Sequence, residues 1–409
     1  MNKSSYKVSD LGEKELINRI ITKTRECSSL VCDFSSNFSS SSTDFKTSIG
    51  DDCGLINHNI SEFSYLVTTS DMLIQSIHFP KAMSYYQMGY KSVVVNVSDL
   101  AAMGSKPIGL VLSLAIPKNL LLDDFDELIC GIIGACSDYN IPLIGGDTNE
   151  SDQIIISATA FGEVRKDKAL MKYGFNVGDL VAITGELGLA ALGFELLNNN
   201  DNMKKAREID SSFVDLAIFK SLKPEACQDE SYILAKYNNK KNYTNSKSFH
   251  TASRYNISCT DITDGLASEL YEILERDRQF NFTTNPDFNN YSKKIVLYED
   301  SLPIEDEFKE IANAIGCDYL DLFFHIGEDF ELLFIIPKEL VSFLKEELDF
   351  FIIGEIVEDE SFEKEEYKEG FNNNEDHITE KINNNFTVEM VLSDYSKFNI
   401  SSKGYEHLK

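Results

Sequence analysis

No two of the eight cysteines (27, 32, 53, 130, 136, 227, 259 and 317) form a C-x-x-C pair, and none has zinc spacing. They read as core thiols of a reducing compartment. Long apolar runs are missing too: the stretches near Ile108–Ile116 and Leu332–Ile336 are far too short to span a bilayer. Met1 to Asp10 is polar and lacks the apolar run of a signal peptide. A cytoplasmic protein without membrane contact is therefore expected. Basic residues are scarce, 38 Lys and Arg against 67 Asp and Glu, for a formal net charge of −29. Binding a nucleic-acid backbone needs clustered Lys and Arg, so no nucleic-acid partner is expected. An anionic substrate could be held only with metal ions, locally placed basic groups or backbone N–H donors.

What is present suits a folded chain. It is 43% hydrophobic and 26% charged, and 409 residues are enough for two ordinary domains. Acidic residues recur on short segments: Ile49-Gly50-Asp51-Asp52, Thr68-Thr69-Ser70-Asp71, Asn96-Val97-Ser98-Asp99, Gly145-Gly146-Asp147 and, much later, Asp261-Ile262-Thr263-Asp264-Gly265. Their small neighbours place each acid at a strand end or in a tight turn. If these segments converge, two carboxylates about 4 Å apart repel by roughly 4 kcal/mol at an effective dielectric of about 20. Such a nest needs cations or protonation. Oxygen ligands without Cys or His favour Mg²⁺ or Ca²⁺ over zinc. The residues alone thus point to a Mg²⁺ cluster that holds phosphates.

Periodicity gives a helix over Glu13–Thr24 and a mobile Ser-rich loop over Ser35–Ser42. A strand Tyr65–Thr69 then precedes an acidic turn and a helix Ser84–Met103, on which Asn96 and Asp99 share a face and Val93–Val97 pack the core. Next come a strand Ile108–Ile116, a helix capped at Asp123 and Asp124 and reaching Tyr139, a strand Ile141–Ile144 running into Gly145-Gly146-Asp147, and a strand Ile154–Val164. After a linker at 165–176, a strand Leu180–Thr184 leads through Gly185-Glu186-Leu187-Gly188 into a helix ending at Leu197. That turn reads either as a phosphate seat at a helix start or as a plain connection. Residues 198–202 and 238–256 read as surface-loop insertions. Further elements are a helix to Arg276, a strand Ile295–Leu297, a helix Glu305–Ile315, an acidic turn Gly327-Glu328-Asp329 feeding the strand Phe330–Ile336, and a strand Phe351–Ile356. The alternation gives an α/β (α+β) chain. The acidic Glu358–Glu369 stretch reads as solvated.

The motifs Gly-Asp-Asp (50–52), Ser-Asp-Met (70–72), Asn-Val-Ser-Asp-Leu-Ala-Ala-Met-Gly (96–104), Gly-Gly-Asp-Thr (145–148), Asp-Ile-Thr-Asp-Gly-Leu (261–266) and Gly-Glu-Asp-Phe-Glu-Leu (327–332), in that order, resemble those of the thiamine-monophosphate kinases. These belong to the superfamily of aminoimidazole ribonucleotide synthetase. The resemblance implies that superfamily's two-domain fold, with an N-terminal mixed sheet and helices forming a homodimer over 1–168, a C-terminal α+β domain over 176–365, and a tail over 366–409 returning to the site. It implies phosphorylation of thiamine monophosphate by ATP with several Mg²⁺ ions. The matching metal ligands are Asp52, Thr69, Ser70, Asp71, Asp99, Asp147, Asp261 and Asp264, with Asp51 beside them. Gly146, Asp147, Lys172 and Thr263 would lie against the nucleotide phosphates, and His78, Glu328 and Tyr405 would meet thiamine monophosphate. Asp71, Asp99 and Asp147 would carry catalysis by offsetting charge on the γ-phosphoryl group through Mg²⁺.

Three positions depart from the family pattern. Lys172 stands where Arg is often found and loses its bidentate fork; Cys227 replaces a common Arg; Ile326 replaces a Gly. The acceptor is already an ionised phosphate, so no general base is required and a direct in-line transfer without a phospho-enzyme is expected. The rival readings are another ATP-using member of the superfamily, such as aminoimidazole ribonucleotide synthetase, and a non-catalytic nucleotide or thiamine-phosphate sensor.

Overall fold

The computed structural model describes Lys7, Arg19, Ile20, Lys23 and residues 61–238, 255–284, 291–359, 386–402 and 404. Asp51, Asp52 and Tyr405, the Ser-rich loop and the acidic stretch from 360 lie outside the described residues, as does most of the first helix.

The first unit runs β1 (Ser64–Ile74), α1 (Gln75–His78), α2 (Tyr85–Ala102), β2 (Lys106–Ile116), α3 (Leu122–Asp138), β3 (Leu143–Glu150) and β4 (Ile155–Arg165). Its strands form a mixed sheet in the order β1-β4-β2-β3, with β2 and β3 parallel and the other pairs antiparallel. Helix α2 starts on a capping box, in which Ser84 accepts from the Gln87 N–H and Gln87 accepts from the Ser84 N–H. It is apolar nearly all round, with Val93, Val94 and Val97 fully buried, because it lies between the sheet and α3.

The second unit is built on a seven-stranded sheet of order β11-β10-β7-β9-β5-β8-β6. Its strands are β5 (Leu180–Ile183), β6 (Ser258–Asp261), β7 (Lys293–Tyr298), β8 (Leu332–Ile336), β9 (Phe351–Glu358), β10 (Val388–Val391) and β11 (Lys397–Asn399). β8, between β5 and the edge strand β6, is LLFII, buried at every position, as a strand covered on both faces must be. One face packs α8 (Leu266–Thr284) and α10 (Tyr319–His325), and the other packs α7 (Gln228–Tyr237). A satellite core joins α4 (Leu189–Asn198), α5 (Asn200–Ile209), α6 (Ser211–Leu222) and α9 (Asp306–Ile315).

The structure differs from the sequence expectations in three places. β1 does not stop at Thr69 but carries the acidic segment through to Ile74, and β3 likewise runs through Gly145-Gly146-Asp147. Pairing along β4 and β2 holds these polar segments extended. The 198–202 segment is helical rather than a loop, because Asn199 accepts from the Asp201 and Asn202 N–H groups and caps α5. Finally, the stretch read as a tail supplies β10 and β11, whose Val388 and Met390 are fully buried.

Candidate active site

The alternation of β1 decides which residues of Thr69-Ser70-Asp71 can act together. Thr69 and Asp71 face α2, and the Thr69 hydroxyl donates to the Asp99 carboxylate on that helix. Ser70 faces the other way and bonds the Ala158 carbonyl at 3.1 Å and the Thr159 hydroxyl at 2.9 Å. One residue before Asp99, Ser98 donates to Asp261 at 2.6 Å across the junction of the two sheets. Asp261 ends β6, and Asp264 follows in the turn that opens α8. Four aspartates from β1, α2, β6 and that turn therefore meet.

Their electrostatics record the crowding. Burial, then Asp261 and Asp264, raise the Asp71 carboxyl above the usual carboxylate range. Burial, then Asp261 and Asp71, push Asp99 up to about 7 despite the Thr69 hydrogen bond. Buried Asp261 is also raised, mainly by lost hydration. Asp71 Oδ2 is buried with no hydrogen-bond partner, and so is Asn96 Oδ1 on α2. Orphaned acceptors on the same elements as carboxylates with raised proton affinity fit a hard dication. No three His, Cys, Asp or Glu side chains among the described residues are already gathered in a metal-holding arrangement.

Lys172 lies at the rim of this group. Its ammonium is 2.8 Å from Glu272 and 3.6 Å from Glu269. Burial pulls its pKa down, but Glu269 and Glu272 outweigh that and hold it above the ordinary lysine value. Burial pushes Glu269 up to about 8. Neither glutamate was singled out from the sequence.

Asp147 and Gly146 do not join the group within one chain. Asp71, Ala158, Leu112 and Gly146 form one row across the sheet, from one edge strand to the other. The row spans three strand spacings, about 14 Å. Asp147 shares a row with Ser113, Ser157 and Met72, so it projects from the face opposite Asp71. The glycine at 146 has a packing reason, since a Cβ there would come within 1.9 Å of the Leu112 carbonyl.

The described acceptor-side candidates, His78 in the first unit and Glu328 in the second, share Lys91 as a partner. Glu328 sits at a left-handed φ of 68°, its N–H bonded to the Thr263 carbonyl at 2.8 Å, and its carboxylate pairs with Lys91. The same lysine donates to the His78 carbonyl at 3.1 Å. Gly404, beside Tyr405, packs so closely that a Cβ would lie 2.6 Å from the Asp264 carbonyl. The Gly185–Gly188 turn is no open phosphate seat. Both Asp329 carboxylate oxygens accept from the Gly188 N–H at 3.1 Å, so the chain supplies its own anion at the start of α4. Cys227 donates to Glu331 at 3.1 Å, and burial raises its thiol far above the usual range.

The family model of AIR synthase related protein, N-terminal domain, matches residues 50–164. The thiamine-monophosphate kinase of Pyrococcus horikoshii is 33% identical over 314 residues, covering 76% of this chain and 84% of that protein. This chain belongs to the thiamine-monophosphate kinase family. It is therefore an enzyme of the phosphotransferase class. Among family members, the Methanocaldococcus jannaschii thiamine-monophosphate kinase is 30% identical, over 77% of this chain and 88% of its own length. A solved complex of AaThiL with AMPPCP and TMP superimposes with a TM-score of 0.61 at 25% identity, covering 98% of each chain. The hydrogenase maturation protein HypE of E. coli shares the fold, with a TM-score of 0.60 at 13% identity over 96% of this chain and 98% of its own. No described helix is long and apolar enough to cross a membrane.

Proposed function

We propose that this kinase-family chain transfers the γ-phosphoryl group of ATP to the phosphate of thiamine monophosphate, giving thiamine diphosphate and ADP. The observation that carries the reading is that the Thr69 and Ser98 hydrogen bonds tie β1, α2 and β6 together, so that Asp71, Asp99 and Asp261 lie within electrostatic reach, with Asp264 acting on Asp71 and one buried Asp71 oxygen lacking a donor. A relative in complex with AMPPCP and TMP supports the same pair of substrates. In this reading the four aspartates, with the Thr69 hydroxyl, hold Mg²⁺. The ion supplies charge neutralisation at phosphoryl oxygens, which lets two polyanions approach. The chain's own work is to position them. Lys172 and the Thr263 segment line the nucleotide side, and His78 and Glu328 the acceptor side. The acceptor oxygen is already ionised, so transfer is direct and in line. Incubation with ATP, Mg²⁺ and thiamine monophosphate should yield thiamine diphosphate and ADP in equal amounts, and chelator should abolish both. Nucleotide binding without either product would refute the proposal.

The same reading includes a homodimer. The face of the first sheet that carries Asp147 also exposes Leu66 (50%) and Met72 (57%). A second copy packed there covers these side chains, and in this reading Asp147 of the partner subunit completes the site around the edge strand β1, since Asp71 itself projects from the other face. Mixed dimers of Asp71→Asn and Asp147→Asn chains test this. Composite sites leave one wild-type site per mixed dimer, so activity returns to about half of the wild-type level per dimer. If each site drew both residues from one chain, the mixture would stay inactive.

A further inference from the structure

Lys91 lies in the middle of α2 with 1% of its surface exposed, in a helix most of whose residues are buried. An ammonium there has lost its hydration and must be matched by other polar groups. Two groups match it, and both come from outside its own helix. One is the His78 carbonyl at the end of α1, 3.1 Å away, and the other is the Glu328 carboxylate in the second unit. These are the two residues assigned above to the acceptor side. Each is otherwise held by backbone contacts. The His78 ring accepts from the Ile74 N–H at 2.8 Å, and Glu328 hangs on the Thr263 carbonyl in a left-handed conformation that only a tight loop enforces. Gly327 locks that loop, since a Cβ there would come within 2.2 Å of the same Thr263 carbonyl.

The Glu328 side chain is 29% exposed while its lysine partner is sealed. The carboxylate thus has one side against Lys91 and another that a ligand can reach. Lys91 cannot touch a ligand itself. Ser98, seven residues further along, lies on the same stripe of α2 and reaches Asp261. One helix face therefore carries both ties to the second unit, one on the aspartate side and one on the acceptor side.

We infer that Lys91 is a positioning residue for the acceptor: it fixes the Glu328 carboxylate and the His78 peptide relative to each other across the junction of the two units. This rests on the phosphotransfer reading above. The test is steady-state kinetics of Lys91→Met on the full chain, with ATP, Mg²⁺ and thiamine monophosphate. The expected result is an acceptor KM raised at least about tenfold, with the ATP KM within about twofold of wild type. The double variant with Glu328→Gln should have an acceptor KM close to that of Glu328→Gln alone, because Lys91 acts through that carboxylate. A variant that only melts earlier, with its acceptor KM unchanged or lowered, overturns the inference, and so does full additivity in the double variant. If the Met variant does not fold, Lys91→Gln keeps two N–H donors and should give an intermediate acceptor KM; an unchanged value again overturns the inference. Wild-type protein that forms no thiamine diphosphate would refute the phosphotransfer reading instead, so the two failures are separable.

Discussion

Asp99→Asn is expected to lower turnover roughly a hundred- to a thousandfold while raising the melting temperature of the metal-free protein. The first effect follows from removing one ligand of the Mg²⁺ that would offset the phosphoryl negative charge, a loss of the size found when one preorganised stabilising group is deleted. The second follows from the same charge. Asp99 is crowded by Asp261 and Asp71 and held up to about 7, so its ionised form works against folding. An amide is nearly isosteric and still accepts the Thr69 hydroxyl proton, so the packing of β1 on α2 is kept. Activity and stability should therefore move in opposite directions, the pattern of a group kept for function at a cost in stability. Kinetics at saturating Mg²⁺ and melting in chelator measure both. Turnover within a few-fold of wild type would remove Asp99 from the mechanism.

Metal-free protein is expected to lose stability as pH rises from 5 to 8. Asp99 and Asp329 both stand near 7 when folded, raised chiefly by burial, and near the ordinary aspartate value when unfolded. Between those values the folded state binds more protons, so stability is fully present below the unfolded pKa and is lost as pH climbs through the folded one. Glu269, raised to about 8, extends the window upward. The carboxylates whose values are lowered, Glu355 and Glu389 among them, are ionised in both states across this range and add no slope. Each raised group is worth on the order of a few kcal/mol across its window, an upper bound because neighbouring groups share the effect. Mg²⁺ should flatten the Asp99 part, since cations favour ionised ligands. Asp329→Asn should flatten a second part whether or not Mg²⁺ is present, because that carboxylate faces the start of α4. Melting curves at pH 5 and 8, with Mg²⁺ or chelator, decide the matter; a rising melting temperature in chelator would contradict the argument.

Much of this was legible in the residues. The ends of α2 follow from Ser84 and from Met103-Gly104, and the buried strands follow from their Val, Ile and Leu runs. That Asp71, Asp99, Asp261 and Asp264 belong together was readable from their flanks and motif order. Sequence spacing carries no strand order, however, so nothing in Gly145-Gly146-Asp147 reveals that it lies on the far edge strand with Asp147 on the opposite face. The small, polar flanks of Asp71 suggested a turn, yet pairing with β4 keeps the segment extended. The helices from Asn200 to Leu222 were not legible because Asn199 fell in a stretch read as a loop insertion and the capping by Asp210 shows only in the fold. Lys91 had a signal that went unused: it is a lone charge in Tyr90-Lys91-Ser92-Val93-Val94-Val95, a helix run with no solvent face.

The two ties along α2 also bear on how the molecule comes apart. Pulling the second sheet away would take the Glu328 carboxylate from Lys91 and the Asp261 acceptor from Ser98. Loosening the first sheet would disturb the same helix from its other side. Opening either half alone breaks contacts that belong to both, which couples the two sheets on denaturation.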